Sequence, residues 1–309
     1  MKKRILLTGG GGAGTEALWR FLSDKYDLYF ADADIASIID VIPAERKIQL
    51  PFAADANFIE TVKNVCRQYK IDILVPGVDE ELYLIALHRE DISANVLLPS
   101  SEFVKLMLDK QDCAKALEIA GLPVPPTLSV SRASEIGFPL IVKPRSGRGS
   151  RGVSVLRNLE EIAAYKVMNR ISDESTLVAQ KLCVGDEYTV LVAADVDGKL
   201  AAVIPVKVEQ KKGITIKAQT ESDKRIHEYV EKFHAHFKQS GIYNIQCILT
   251  EDGSVMPFEV NPRVSTTFCL GVASGFDPFS SFLKAGEKVF TPENTFYLKR
   301  NWTNNIWTD

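Results

Sequence analysis

The chain has 309 residues, of which 46% are hydrophobic and 25% are charged, a composition typical of a folded protein with about two domains. Disordered and fibrous classes are therefore excluded. Lys and Arg number 37 against 40 Asp and Glu, so the net charge of −3 predicts no nucleic-acid or membrane partner. No stretch approaches the ~18 consecutive apolar residues of a membrane span, and the N-terminus lacks a signal-peptide core. A cytoplasmic location is expected.

The five cysteines are odd in number, widely spaced and without a Cys-x-x-Cys pair. This spacing predicts reduced, mostly buried thiols rather than a disulfide framework or a zinc site. They are Cys66, Cys113, Cys183, Cys247 and Cys269.

The first hundred residues alternate between strand and helix patterns. A short apolar run at Arg4–Thr8 meets a glycine-rich turn, and a helical stretch leads to a second strand at Asp27–Ala31. Alternation of this kind predicts a parallel, doubly wound α/β sheet. The later elements are a helix near Asn57–Tyr69, a strand at Ile71–Val75, a helix near Asp79–His88, a strand at Val96–Leu98 and a helix near Ser101–Leu108.

The glycine-rich turn satisfies the pattern G-x-G-x-x-G through Gly9, Gly11 and Gly14, and Asp32 lies where a ribose-binding acid would stand. Alone, this motif suggests a dinucleotide-dependent oxidoreductase. The pattern is weak, because any tight strand-to-helix turn favours glycine. Asp79 and Glu80 open a later helix, where they either stabilise its first turn or face a ligand.

A capped amphipathic helix at Asp109–Gly121 precedes a proline-rich link, and the domain boundary is predicted just before it. A buried strand then ends in Lys143, and a loop of glycine, serine and arginine at 145–152 leads to a strand at Val153–Leu156. Backbone amides of such a loop can close around phosphate oxygens. The alternative is a mobile basic hairpin loop.

A β-hairpin is predicted around Asp252-Gly253, a dipeptide typical of a two-residue turn. Such a turn pairs residues whose numbers sum to 505 and puts Gln246 opposite Glu259. Because side chains alternate along a strand, one face is expected to be apolar and to pack in the core. That face carries Tyr243, Ile245, Cys247, Leu249, Met256, Phe258 and Val260.

The opposite face of the hairpin carries Asn244, Gln246, Glu259 and Asn261. A carboxylate flanked by amide carbonyls suits Mg²⁺ that keeps waters and substrate phosphates as its other ligands. Arg263 points the same way if the strand continues. The alternative is a solvated polar face.

Taken together, these motifs resemble the ATP-grasp superfamily of carboxylate–amine ligases, most closely one synthetase-like unit of the carbamoyl phosphate synthetase large subunit. The resemblance implies a Rossmann-like domain at 1–108 and an ATP-grasp domain at 109–309. The latter would divide into a lid-bearing part at about 109–178 and a part with the metal hairpin at about 179–309. The chain is too short for a complete carbamoyl phosphate synthetase, so that activity is not inferred.

The resemblance also implies roles for residues. Gln246, Glu259 and Asn261 would hold Mg²⁺ or Mn²⁺, and Lys143 and Arg263 would act in catalysis. Gln180 stands where many members have glutamate. The residues expected to bind ATP are Lys110, Lys143, Ser146, Gly147, Gly149, Ser150, Gly152, Gln180, Lys181, Leu182 and Glu187.

The implied reaction joins a small-molecule carboxylate to an amine through an acyl phosphate, with release of ADP and phosphate. Two alternatives remain open: an NAD(P)-dependent oxidoreductase and a catalytically silent ATP-binding protein. A homodimer would be compatible with the ligase. The acceptor side of the cleft is expected near Lys207, Glu209, Lys211, Lys212 and Thr215, or these residues form a solvated strand face.

Overall fold

The structure is a computed structural model that describes residues 1–301. Strands and helices alternate over its first hundred residues, as predicted. They are β1 (Arg4–Thr8), α1 (Thr15–Leu22), β2 (Asp27–Asp32), β3 (Lys47–Gln49), α2 (Phe58–Gln68), β4 (Ile73–Val75), α3 (Asp79–Leu87), β5 (Asn95–Val96) and α4 (Ser101–Leu108). The sequence prediction missed the short strand β3.

These five strands form one parallel sheet in the order β3-β2-β1-β4-β5. The chain winds outward from β1 in one direction to β3, and then from β4 in the other direction. This is the order of a doubly wound fold, in which ligands bind outside the carboxyl ends of the strands where the winding reverses. In this sheet the reversal lies between β1 and β4.

A four-stranded sheet in the order β6-β9-β7-β8 follows, and its neighbouring strands are antiparallel. Its core is a small apolar cluster that includes Leu140, Val142 and Ile162. The elements of this part are α5 (Lys110–Ile119), β6 (Thr127–Ser129), α6 (Ala133–Ile136), β7 (Leu140–Pro144), β8 (Ser154–Leu156), α7 (Leu159–Met168) and β9 (Leu177–Lys181).

The rest of the described chain is built on a six-stranded antiparallel sheet in the order β14-β13-β10-β11-β12-β15. Its elements are β10 (Gly185–Ala194), β11 (Leu200–Lys212), β12 (Ile214–Thr220), α8 (Lys224–Phe237), β13 (Gly241–Thr250), β14 (Val255–Asn261), α9 (Phe268–Ala273), α10 (Pro278–Leu283) and β15 (Tyr297–Lys299). Short 3₁₀ helices lie at Ile35–Ser37, Ala44–Arg46, Arg89–Asp91, Val130–Arg132 and Glu174–Thr176.

Both faces of the six-stranded sheet are buried by apolar side chains. On one face, Leu191 and Ile204 belong to a cluster that also contains Leu7 and Phe30 of the parallel sheet. On the other face, Tyr243 and its neighbours pack with α4, α5 and α8. The first cluster joins the two sheets and so fixes the carboxyl ends of β1, β2 and β4 relative to the β13–β14 hairpin. The division of the chain at residue 108 stays a prediction.

Within residues 1–301, none of the helices combines the length and apolarity needed to cross a bilayer. All five cysteines are free thiols, and four of them are buried. This agrees with the cysteine pattern of the sequence.

Candidate active site

A cleft between the four-stranded sheet and the β13–β14 hairpin contains a cavity of about 340 Å³, termed the first cavity. It is lined from α5, β7, β9, β14 and the glycine-rich loop that follows β7. The sequence-predicted residues that line it are Lys110, Lys143, Ser146, Gly147, Gly149, Ser150, Gln180, Lys181, Leu182, Glu187 and Glu259. The fold therefore brings most of the predicted ATP-binding residues to one place.

Lys143 lies at the floor of the first cavity and is only 4% exposed. Its Nζ donates hydrogen bonds to Gln180 Oε1 at 2.8 Å and to the main-chain carbonyl of Phe258 at 2.9 Å. Burial lowers the pKa of the Lys143 ammonium to about 8, although the Glu259 carboxylate acts in the opposite direction. A cation that has lost its water in this way is stabilised by an anionic ligand.

Lys110 is the first residue of α5 and approaches the same cavity from the side. Its Nζ lies 3.1 Å from Glu259 Oε1 and donates a hydrogen bond to the Gly147 carbonyl at 2.9 Å. Asp109 caps the helix through the amides of Gln111 and Asp112, which fixes where the lysine leaves the backbone. Lys110 thus links the predicted metal ligand to the glycine-rich loop.

The pairing of β13 with β14 brings Glu259 to the cavity. Gln246 lies opposite Glu259, as predicted. The prediction of a two-residue turn is wrong. The Thr250 amide donates a hydrogen bond to the Ser254 carbonyl, so the three residues 251–253 form the loop. The longer loop shifts the pairing by one residue, and a bulge beside Cys247 cancels this shift. The predicted register therefore holds only from the Gln246–Glu259 pair to the Asn244–Asn261 pair.

This bulge also changes which side chains face the core. Phe258 was expected on the apolar core face with Met256, but both are half-buried and neither belongs to the core cluster of that face. Phe258 lines the first cavity instead, with Lys143 Nζ and Lys211 Nζ at 5.6 and 5.8 Å from its ring centroid. Sequence reasoning missed this aromatic wall because strict alternation does not hold across a bulge.

Lys211, which was expected on the acceptor side of the cleft, reaches the site through irregular strand pairing. Its Nζ donates to Glu187 Oε1 at 2.8 Å and to Gln246 Oε1 at 3.3 Å. The register of β11 against β12 shifts on both sides of Gln210, immediately before this lysine. Of the residues expected near the acceptor, Lys211 and Thr215 line the cleft, whereas Lys207 pairs with Asp186 at 2.7 Å. Glu209 and Lys212 line neither the first cavity nor the larger cavity that adjoins it.

The predicted metal ligands divide into two groups. Glu259 and Gln246 face each other across the hairpin, and each has one side-chain oxygen beside a lysine ammonium. Oxygens that already attract cations fit the ligand preference of Mg²⁺. Asn261 is buried and points its amide at Asn244 Oδ1, 3.4 Å away. Among residues 1–301, no cluster of three or more His, Cys, Asp or Glu side chains offers an alternative metal site.

A second cavity of about 750 Å³ adjoins the first and shares Arg148, Gly149, Arg151 and Lys211 with it. One wall comes from the carboxyl ends of the parallel strands. The opposite wall includes Gln246 and Arg263. The two cavities therefore meet beneath the glycine-rich loop, and the second one reaches the place where the winding of the parallel sheet reverses.

Arg263 belongs to the second cavity and not to the first. β14 ends at Asn261, and the Arg263 amide bonds back to the Asn261 carbonyl at 2.8 Å, so the strand does not continue to the arginine. The guanidinium pairs with the Asp79 carboxylate in the first turn of α3 and donates to the Val264 carbonyl at 2.9 Å. Helix α3 therefore holds the arginine at the cavity wall.

The glycine-rich loop at 146–152 covers both cavities. Gly147 and Gly149 have φ values of +124° and +69°, which side-chain-bearing residues rarely adopt. Arg148 reaches across to Glu80 of α3 at 3.3 Å. Gly152 lies outside both cavities, where its carbonyl accepts a hydrogen bond from the Tyr165 hydroxyl at 2.6 Å.

The N-terminal glycine turn is explained by close packing. A Cβ on Gly11 would lie 2.1 Å from Ser37 Oγ, and the Gly11 amide donates to Asp32 Oδ2 at 2.9 Å. These contacts alone explain why position 11 must be glycine, whether or not a dinucleotide binds there. The motif by itself therefore does not support the oxidoreductase alternative.

Residues 107–267 match the family model described as an ATP-grasp domain, which covers just over half of the chain. The chain therefore belongs to the ATP-grasp family.

Curated relatives include the carbamoyl phosphate synthase large chain of Rubrobacter xylanophilus, 26% identical over 298 residues that cover 85% of this chain and 27% of that protein. Cyanophycin synthetase of a Synechocystis species is 30% identical over 128 residues, which cover 38% of this chain and 14% of that protein. The chain thus spans less than a third of the length of either relative.

Solved structures agree on the fold. L-amino acid ligase from Bacillus licheniformis has a TM-score of 0.69 at 16% identity, covering 92% of this chain and 75% of that chain. A biotin carboxylase–β,γ-ATP complex from Campylobacter jejuni has a TM-score of 0.69 at 18% identity, covering 92% of this chain and 71% of that chain.

Proposed function

We propose that this chain is an ATP- and Mg²⁺-dependent ligase that joins a small-molecule carboxylate to an amine. The observation that carries the proposal is the meeting of the two cavities beneath one glycine-rich loop, with cationic side chains at their junction. Lys110 and Lys143 line only the first cavity, Arg263 lines only the second, and Lys211 lines both. This arrangement suits transfer of a phosphoryl group from a nucleotide in one cavity to an acid in the other.

In this proposal ATP occupies the first cavity, with its adenine against Phe258 and the Gln180–Leu182 segment. Lys110 and Lys143 contact the phosphates and offset the charge that develops on the transferred group. Glu259 and Gln246 would hold the metal, and Asn261 would join them only if its amide turns away from Asn244. Bound Mg²⁺ would neutralise phosphate charge and align the oxygens around the γ-phosphorus.

The chemistry then proceeds in two displacements. A carboxylate oxygen of the substrate attacks the γ-phosphorus, the bond to the β-phosphate oxygen breaks, and ADP and an acyl phosphate result. The amine next attacks the acyl carbon, phosphate leaves, and the nitrogen loses a proton. Arg263 lies where it can offset charge at the acyl carbon, and the loop at 146–152 would exclude water that hydrolyses the acyl phosphate.

We place the reaction in the cytoplasm, and the five free thiols support a reducing compartment. The test is an ADP-release screen with Mg²⁺ over a matrix of carboxylic acids and amines. Wild-type protein should release ADP only with a matched pair of substrates, and Glu259→Ala should abolish this release while its circular dichroism stays unchanged. Full activity in Glu259→Ala, or no turnover together with no ATP-induced thermal shift, would overturn the proposal.

A further inference from the structure

The carboxyl group of Glu81 is buried at the point where the winding of the parallel sheet reverses. Its Oε1 accepts hydrogen bonds from the amides of Gly77 and Val78 at 3.0 and 3.1 Å, and from the Thr8 hydroxyl at the end of β1. The residue is only 4% exposed, yet it lines the second cavity. Three donors from the ends of β1 and β4 thus fix one oxygen of this carboxyl group.

The other oxygen, Oε2, has no such restraint. It forms no hydrogen bond or ion pair with any group in residues 1–301. In that part of the chain, only Arg46 Nη1 is a fully buried side-chain nitrogen or oxygen atom without a partner. Oε2 is therefore not fully buried, and the residue that carries it lines the second cavity.

Asp32, at the end of β2, is a second carboxylate on the same wall. Its oxygens accept hydrogen bonds from the amides of Gly11 at 2.9 Å and Asp34 at 3.0 Å. Within residues 1–301 it forms no ion pair with a lysine, arginine or histidine. Its charge acts on Glu81, where burial first and Asp32 in addition raise the pKa of the carboxyl group to about 7.

The basic groups of the second cavity come from other elements, and two of them, Arg263 and Arg148, pair with acids in the first turn of α3. Arg263 stands beyond the β13–β14 hairpin, Lys211 comes from β11, and Arg148 and Arg151 come from the glycine-rich loop. Three acids line the cavity; Glu80 pairs with Arg148, whereas Asp32 and Glu81 have no basic ion-pair partner within residues 1–301. Ligands of doubly wound sheets bind at this end of the strands, where the winding reverses.

We infer that Asp32 and Glu81 form a binding site for a primary ammonium group of the ligase substrates, in the second cavity at the carboxyl ends of β1, β2 and β4. An ammonium group has three donors and no acceptor, so it matches two carboxylates whose backbone donors leave lone pairs available. The ammonium group belongs either to the acceptor amine or to an amino-bearing carboxylate whose acid group faces Arg263 and Lys211. This inference rests on the proposed function.

The experiment compares ammonium-bearing probes with neutral or deaminated ones of the same length by calorimetric titration of the full chain without nucleotide. Propylamine is compared with propanol, and β-alanine with propanoate. Wild-type protein should bind at least one ammonium-bearing probe at least ~10-fold more tightly than its partner, as expected for charged hydrogen bonds. Preference for propylamine assigns the site to the acceptor, and preference for β-alanine alone assigns it to the acid.

Asp32→Asn and Glu81→Gln should each remove this preference. Asp40→Asn, at an exposed carboxylate outside the second cavity, is the matched control and should keep it. No preference in the wild type, or an unchanged preference in both variants, would overturn the inference. Substrate-dependent ADP release would then still support the ligase, whereas absence of ATP binding would refute the ligase and leave the probe result to stand by itself.

Discussion

Lys110 Nζ lies 3.1 Å from Glu259 Oε1, so helix α5, near the start of the region that matches the family, is joined to the hairpin that carries the proposed metal ligand. Both side chains are largely buried, and the lysine also holds the glycine-rich loop through the Gly147 carbonyl. A phosphate group entering the first cavity would compete with Glu259 for the lysine, and a divalent cation would compete with the lysine for Glu259. Nucleotide and metal are therefore expected to bind together.

Replacing Lys110 with alanine removes one cation from the proposed phosphate site. We expect the affinity for Mg²⁺·ATP to fall by ~10- to 100-fold, the usual cost of a hydrogen bond to a charged group. Isothermal titration calorimetry measures this directly. Lys105→Ala, at an exposed position on the preceding helix, should bind ATP as tightly as the wild type. Equal affinities of all three proteins for Mg²⁺·ATP would show that Lys110 does not contribute to nucleotide binding.

We expect Lys143 to take up a proton when ATP binds. Burial lowers the pKa of its ammonium to about 8, so at about pH 8.5 a large fraction of the ligand-free protein has a neutral lysine. Phosphate charge nearby raises that pKa and draws a proton from the buffer. The binding enthalpy at this pH should therefore vary with the ionisation enthalpy of the buffer. Lys143→Arg, which stays charged, should lose this dependence, and a wild type without it would contradict the account.

Asp79→Asn tests the ion pair that holds Arg263. Both side chains are about 15% exposed, so loss of the carboxylate leaves a poorly solvated guanidinium without its partner. We expect the free energy of unfolding to drop by ~1–3 kcal/mol in urea denaturation. Glu80→Gln breaks the neighbouring exposed pair with Arg148 and should cost less than ~1 kcal/mol. If Glu80→Gln lowered the free energy of unfolding more than Asp79→Asn, the Asp79–Arg263 pair would not be the more stabilising of the two.

Glu81 makes stability depend on pH. Because burial raises the pKa of the carboxyl group from 4.5 to about 7, the folded chain keeps a proton that the unfolded chain has released in this interval. The contribution of Glu81 to the free energy of unfolding is therefore largest below pH 4.5 and declines as the pH rises through 7. The wild type should lose up to ~3 kcal/mol relative to Glu81→Gln across this range.

Urea denaturation of both proteins at a series of pH values measures this difference. Glu90→Gln, which removes an exposed carboxyl group just beyond α3, controls for the loss of one charge. If the difference in free energy of unfolding between wild type and Glu81→Gln did not change with pH, the pKa of Glu81 would be the same in the folded and unfolded chains.

The sequence predicted the order of strands and helices and most residues of the first cavity, because glycine turns, caps and hydrophobic runs are local features. The hairpin shows where local reasoning fails. Gln246 does face Glu259, but only because a longer turn and a bulge shift the register in opposite directions. On β14 the alternation is inverted between those two points, so that Val255 and not Met256 packs in the core, and Phe258, at the bulge, lines the cavity wall.

The burial of Glu81 and the contacts of Lys211, which was expected only near the acceptor side of the cleft, could not be predicted from sequence for a related reason. Glu81 reads as an ordinary acid in the first turn of a helix, and its burial depends on Thr8, 73 residues away in the chain. Lys211 reaches Glu187 and Gln246 only because the register of β11 shifts just before it. Contacts between strands that are distant in sequence decide both positions, and no local pattern records them.

In the proposed reaction a substrate carboxylate attacks the γ-phosphorus of ATP. This step is tested by labelling both carboxylate oxygens of the acid found in the ADP-release screen with oxygen-18 and analysing the released phosphate by mass spectrometry. An acyl phosphate passes one substrate oxygen to the phosphate, so the account predicts one oxygen-18 atom in each phosphate formed per ADP. Unlabelled phosphate released in step with ADP would contradict it.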